Sequence, residues 1–210
     1  MLKSVYQNGG FYIGKYEAGT TAIDANGKPS GTAVVQANAY PYNFVTCSQA
    51  QSIASGMASG GYTSSLMFGV QWDLVLKHLE TKGVTQAELK SDSTEWGNYY
   101  NNLYNITNAS SKYSIDYGTT WTSGAYGEKT SAKSVLLSTG ASSEFSKMGI
   151  SDLAGNVWEW TLEYTSYSSY PCACRGGNYV SDGSYCPASN RVSDSTTISN
   201  FIVGFRPALY

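Results

Sequence analysis

Four cysteines, one histidine and an acidic turn carry most of the chemistry this chain could perform. The cysteines are Cys47, Cys172, Cys174 and Cys186, and the histidine is His78. Cys172 and Cys174 are one residue apart, tighter than the two-to-four-residue gap of a zinc pair, and no histidine lies near them, so their spacing argues against zinc. It leaves open a disulfide from Cys172 or Cys174 to Cys186. A histidine-activated nucleophile would have to use His78. That residue falls beside the apolar stripe of a predicted helix and reads as a helix-surface side chain.

The acidic turn lies in "GISDLAGNVWEWTLEY" (149–164). Asp152 stands in the turn, Gly155-Asn156 supplies the bend, and Glu159 follows. A turn carboxylate, bent main-chain carbonyls and a glutamate make a set of oxygens that a hard cation such as Ca²⁺ could use. The alternative is that Asp152 only caps the turn. The strand after the turn places Trp158 and Trp160 on one side, as a core anchor, and Glu159 on the other.

Composition bounds the class of protein that must position these groups. With 210 residues the chain can build one sizeable core. Charged residues are 13% and the net charge is −2, which gives no electrostatic footprint for nucleic acid. No apolar run is long enough to span a bilayer, and "MLKSVYQNGG" lacks the apolar stretch of a secretory signal, which leaves export open. The chain has 18 Tyr and 22 Gly among many Ser, Thr and Asn. Disordered segments are poor in aromatics, so this composition reads as a folded, loop-rich domain with a tyrosine-decorated surface. Such letters also dominate adaptable binding surfaces.

Two helices stand out. The first starts near Thr46 or Ser48 as cap, with Ala50, Ile53, Ala54 and Met57 as its apolar stripe. The second carries Trp72, Val75, Leu76 and Leu79, with Lys82 in the last turn and Gly83 as C-cap. "GGFYIGKYEAG" (9–19) reads as a strand bounded by glycines. Residues 91–146 read as long loops with short strands, anchored by Trp96, Trp121 and several tyrosines. There is neither an internal repeat nor a composition break, so residues 1–210 read as a single domain.

Three blocks in order, "GISDLAGNVWEWTLEY" (149–164), "RGGNY" (175–179) and "GFRPA" (204–208), resemble the formylglycine-generating-enzyme family. "YIGKYEAG" (12–19) and the Trp72 helix loosely resemble its N-terminal half. The resemblance implies an α+β, loop-rich variant of the C-type lectin fold, with two helices and short antiparallel strands. It also implies structural Ca²⁺ held by Asp152, Glu159 and main-chain oxygens near Gly155 and Val157. Catalytic members of that family use two cysteines spaced C-x4-C after the glycine block. Here Cys186 stands on the second position and Ser181 on the first. Two soft sulfur ligands are needed to hold copper(I), and a single thiol cannot replace them, so no copper and no catalytic residue are expected.

The chain also resembles another branch of the fold, the variable proteins of diversity-generating retroelements of phages and bacteria. In those proteins, adenine mutagenesis of AAY codons rewrites a C-terminal segment and cannot produce Lys, Glu, Gln, Met or Trp. This chain has 10 Lys, 8 Glu, 6 Gln, 4 Met and 5 Trp, all within residues 1–163. That frequency would place about nine in residues 164–210, which contain none.

Residues 176–207 then read as a variable ligand-binding segment. Gly176-Gly177, Pro187-Ala188, Arg191 and Gly204-Phe205-Arg206-Pro207 form its fixed frame. The variable set is Val180, Ser181, Asp182, Tyr185, Cys186, Asn190, Val192, Ser193, Asp194, Phe201 and Ile202. The expected function is non-enzymatic recognition of a protein or glycan ligand on a cell surface, from a virion tail or a cell surface, with no nucleic-acid partner and no membrane insertion. The alternatives are a copper oxidase of the formylglycine-generating type or a degenerate relative of it, and a structural virion or surface scaffold.

Overall fold

Thr46 and Gln49 start the first predicted helix with a reciprocal cap. The Thr46 hydroxyl accepts from the Gln49 N–H at 3.3 Å, and the Gln49 side chain accepts from the Thr46 N–H at 2.9 Å. In the computed structural model, which describes residues 2–58 and 60–210, this helix (α2) spans Cys47–Ser55 and buries Ala50 and Ala54. The second predicted helix (α3) spans Gly69–Thr81 and buries the expected stripe of Trp72, Val75, Leu76 and Leu79. It stops before Gly83, whose φ of +99° suits the residue that follows a helix end. An additional short helix (α1), Leu2–Asn8, precedes both. Two turns carry too few residues for an apolar period to register in sequence.

The expected strand at 9–19 is broken into pieces. Only Tyr12–Ile13 (β1) and Gly19–Thr20 are paired as strands, because the two ends have different partners. β1 runs antiparallel to Pro207–Leu209 (β7), which also pairs antiparallel with Ser64–Leu66 (β2). Gly19–Thr20 pairs instead with Tyr40–Pro41. Between them, a Cβ at Gly14 would lie 2.7 Å from the Tyr16 carbonyl oxygen, so that bend excludes larger residues.

The central sheet has four strands: Trp158–Tyr164 (β3), Cys172–Arg175 (β4), Arg191–Asp194 (β5) and Val203–Phe205 (β6), in the order β5-β4-β3-β6. The pairs are antiparallel except β3 with β6, which run parallel and align Trp158 with Val203 and Trp160 with Phe205. A parallel neighbour requires a crossover, and the segment 164–202, including β4 and β5, supplies it. Residues 91–146 do form loops with short paired strands, such as Tyr104–Ile106 with Gly127–Lys129.

The core follows the indoles. Trp158 and Trp160 pack with Leu66, Phe205, Ala50 and Ala54, so the central sheet is bolted to α2. Trp72 and Leu79 of α3 meet Trp96, Tyr99 and Leu153 in a second cluster. Each of the two central indoles also spends its N–H on a carbonyl, Trp160 to Val45 at 2.9 Å and Trp72 to Ala188 at 3.0 Å. Glu159 does lie across the strand from the two tryptophans, but that side is buried too. Trp160→Ala is therefore expected to cost about 3–5 kcal/mol, since it opens a cavity and orphans the Val45 carbonyl. Urea denaturation followed by circular dichroism measures the loss. A change below about 1 kcal/mol would remove Trp160 from the core set.

Candidate functional site

Two glycines turn the chain out of β4 and into the segment singled out from the sequence. Gly176 and Gly177 have φ of +94° and +83°, and a Cβ on Gly177 would stand 2.3 Å from the Cys186 carbonyl oxygen. Beyond them the main chain is held by groups outside the segment. The Tyr179 N–H donates to Asn156 O at 3.0 Å, and the Tyr100 N–H donates to Ser181 O at 2.9 Å. Gly183 donates its N–H to Asn101 Oδ1 at 3.1 Å, and its carbonyl accepts from the Ser93 N–H at 3.1 Å. The Ser93 hydroxyl in turn accepts from the Ala188 N–H at 2.9 Å. Ser93, Tyr100 and Asn101 are anchoring positions that the sequence did not reveal, because in a polar loop these letters carry no periodic or motif signal.

The candidate side chains fall into three groups. Asp182 and Tyr185 are exposed, Tyr185 to 81%, at the tip of a turn where the N–H groups of Tyr185 and Cys186 both donate to Asp182 O. Asn190 is half-buried and donates from Nδ2 to Tyr185 O at 2.9 Å. The second group, Val192, Ser193 and Asp194, occupies the edge strand β5, with Val192 exposed and the other two half-buried. In the third, Val180, Phe201 and Ile202 are half-buried against Leu136, Val157 and Tyr179, and the Phe201 ring lies 4.8 Å from that of Tyr117.

Cys186 departs from the expected exposed set. It is only 4% exposed and packs in the cluster of Trp158 and Trp160, because the turn that sends Tyr185 outward sends its neighbour inward. Ser181 is half-buried beside Cys186, and its hydroxyl accepts from Asn178 Nδ2 at 3.2 Å. The two family positions are thus held by one sulfur and one hydroxyl. Burial pushes the Cys186 thiol up, the Asp182 charge pushes it further, and the neighbouring Ser181 hydroxyl pulls back. A buried, neutral thiol facing a hard oxygen is a poor nucleophile and a poor half of a copper(I) site. The pairing of Cys172 or Cys174 with Cys186 left open by sequence does not form, and all four cysteines are free thiols. His78 lies in the last turn of α3 and has no part in this region.

The acidic turn forms a separate buried cluster. Asp152 and Asn156 take left-handed φ of +58° and +55°, conformations that Asp and Asn tolerate better than most residues. Arg206, fully buried, donates from Nε and Nη2 to the Glu159 oxygens at 2.7–3.1 Å, from Nη1 to the Gly14 carbonyl and from Nη2 to the Ser151 carbonyl, both at 2.8 Å. Asp152 Oδ2 accepts from the Gly140 N–H at 2.6 Å. The buried Glu17 accepts from Asn156 Nδ2 through Oε1, and its Oε2 has no partner.

These residues do not fit the implied Ca²⁺ set. The guanidinium of Arg206 already supplies the positive charge for Glu159, and the Asp152 oxygen bonds a distant amide rather than opening toward a shared point. At Gly155 the main chain is pressed against Asn98, where an added Cβ would lie 2.4 Å from the Asn98 carbonyl oxygen. Among the described residues, no group of three or more His, Cys, Asp or Glu side chains is placed to hold a metal.

Residues 31–209 match the sulfatase-modifying factor enzyme 1-like domain family, and the fold is the C-type-lectin-like fold of that family. Among solved structures, Treponema denticola variable protein 1 is similar at 14% identity and a TM-score of 0.52, over 94% of this chain and 84% of that one. PvdO from Pseudomonas aeruginosa aligns at 12% identity and a TM-score of 0.49, over 95% of this chain and 80% of that one. No curated protein sequence matches.

Three buried carboxyls around one guanidinium cannot all be ionised cheaply. Burial pushes Asp152 up to about 7, with the Gly140 hydrogen bond and Arg206 opposing. Glu17 is held well above the usual carboxylate range, first by burial and then by the charges of Asp152 and Glu159. A carboxyl whose folded pKa is raised contributes stability that is fully present below its unfolded pKa and lost as pH rises through the folded one. For Asp152 that window runs from its ordinary 3.8 to about 7. Unfolding free energies from urea titrations are therefore expected to fall between about pH 4 and about pH 7, by up to about 1.4 kcal/mol per pH unit for each proton released. Asp152→Asn should flatten that slope. Chelator should leave the melting temperature unchanged, whereas a Ca²⁺-dependent rise would restore a cation site by mass action.

Proposed function

The chain belongs to the sulfatase-modifying factor enzyme 1-like family, and we propose that within it this protein is a non-enzymatic recognition protein. On this reading, the C-terminal segment presents interchangeable side chains to a macromolecular ligand. The observation that carries the reading is the separation of main chain from side chains in residues 178–190. The main chain is held by Ser93, Tyr100, Asn101 and Asn156, while Asp182 and Tyr185 project into solvent and bond to none of those anchors. A loop held in this way keeps its shape when its exposed letters change. Tyrosine at the tip offers a large, stiff contact area at low entropic cost.

Three further observations support it. Residues 164–210 lack every amino acid that adenine mutagenesis of AAY codons cannot supply. A hydroxyl stands where the family's catalytic members need a second thiolate, and soft copper(I) would be left with a single sulfur. The structural neighbour from Treponema denticola is itself called a variable protein. A segment diversified by a retroelement, displayed on a virion or cell surface, accounts for all three.

Asp182, Tyr185, Val192 and Ser193 replaced together should leave the melting curve nearly unchanged, because surface substitutions away from packing shift stability by only about half a kcal/mol each. Phe201→Ala should cost more, since its ring is half-buried against Tyr117 and Tyr179. The decisive assay is a library with NNY codons at these four positions, sorted for protease resistance. Most members surviving is the expected outcome, and a mostly unfolded library would make this surface part of the fold. A second measurement probes the chemistry. Cysteine-containing peptide incubated with the protein and copper(I) should remain unoxidised by mass spectrometry, and turnover abolished by Cys186→Ala would overturn the recognition reading.

A further inference from the structure

Cys47 and Cys172 are distant in sequence and meet beside the central sheet. Cys47 is the first residue of α2, directly after the Thr46 cap, and Cys172 is the first residue of β4, opposite Asp194 on β5. Both pack against the cluster of Trp158 and Trp160, close enough for one sulfur to perturb the other, and neither is in a disulfide. Both line an open cavity of about 270 Å³, together with Thr161, Leu162, Glu163 and Thr196, and both are half-buried. Cys174, two residues along the strand, is sealed in the core, and Cys186 is buried beside Ser181. Of the four cysteines, Cys47 and Cys172 are the two that share an opening to solvent.

We propose that Cys47 and Cys172 form a dithiol–disulfide site, oxidised by a small disulfide such as oxidised glutathione, that cross-links the start of α2 to β4. The Cys172 thiolate attacks one sulfur of the oxidant, whose S–S bond breaks and releases one glutathione thiolate. Cys47 then loses its proton to solvent and attacks the Cys172 sulfur, releasing the second glutathione thiolate. The protein gives up two electrons and two protons, and the oxidant becomes two thiols. Cys47 makes the second attack because burial, followed by the neighbouring Cys172 sulfur, pushes its thiol up to about 12. Once formed, the bond closes the chain from 47 to 172, restricts the unfolded state and raises stability. It also braces β4, which carries β5 with Val192, Ser193 and Asp194.

The test uses the whole chain equilibrated in buffers of increasing oxidised-to-reduced glutathione ratio. Free thiols are then trapped with a maleimide, and the protein is digested for peptide mapping. The expected result is loss of two thiols of the four, a Cys47–Cys172 linked peptide and a higher melting temperature that dithiothreitol reverses. Cys47→Ser and Cys172→Ser should each abolish the linked peptide and the reversible shift, while Cys174→Ser and Cys186→Ser retain both. Four thiols still free at the most oxidising ratio would overturn the proposal. So would a link involving Cys174 or Cys186, or glutathione adducts that never resolve. The wild-type map alone decides the matter should a variant fail to fold.

Discussion

The contact on which the architecture depends is the Arg206–Glu159 ion pair. A fully buried guanidinium is costly to desolvate, and that cost is offset only when every donor finds an acceptor. Every nitrogen of Arg206 has an acceptor, in three separate parts of the chain: Glu159 on β3, Gly14 and Ser151 before the acidic turn. Arg206 thereby ties the segment at Gly14, the approach to the acidic turn and the central sheet to one another. The neighbouring Gly204 reinforces the register, since a Cβ there would stand 3.0 Å from Val157. Breaking such a pair by removing one partner typically costs about 3–5 kcal/mol, because it strands the other charge.

The same cluster explains why a turn rich in oxygen atoms has a structural role. Glu17, Asp152 and Glu159 face one guanidinium, so the cluster reduces its excess negative charge by retaining protons. An internal cation and bound protons do what a bound metal would otherwise do. The arrangement keeps the acidic turn rigid beneath the loop that Asn156 helps to hold, through its carbonyl to Tyr179.

Above that rigid base, the main chain and the exposed side chains are under different constraints. The tip around Asp182 and Tyr185 is ordered by main-chain and framework hydrogen bonds, so its exposed side chains owe the fold little. The division is not complete. Phe201 and Ile202 contribute to the core as well as to the surface, and Gly183 admits no side chain because a Cβ would lie 2.4 Å from Thr94 N. The permissive surface is therefore narrower than the segment that contains it.

The two helices were legible in the sequence, because the stripes of Ala50/Ala54 and of Trp72/Val75/Leu76/Leu79 repeat with the helical period and carry local caps. The Trp158–Trp160 anchor, the glycine-led segment and the substitution of Ser181 for a thiol were legible too, since each is a matter of residue type and spacing. What the sequence could not supply is the identity of partners across long separations. Arg206 takes the charge assigned to a cation, and Cys186 turns inward beside an outward Tyr185. Cys47 rather than Cys186 lies beside Cys172, and Asn101 and Ser93 hold a loop 82 and 95 residues away. Periodicity and capping are properties of neighbours along the chain, and residue order records them. Which buried charge or thiol meets which is decided only when the sheet closes, because closure sets the distances over which those groups compete.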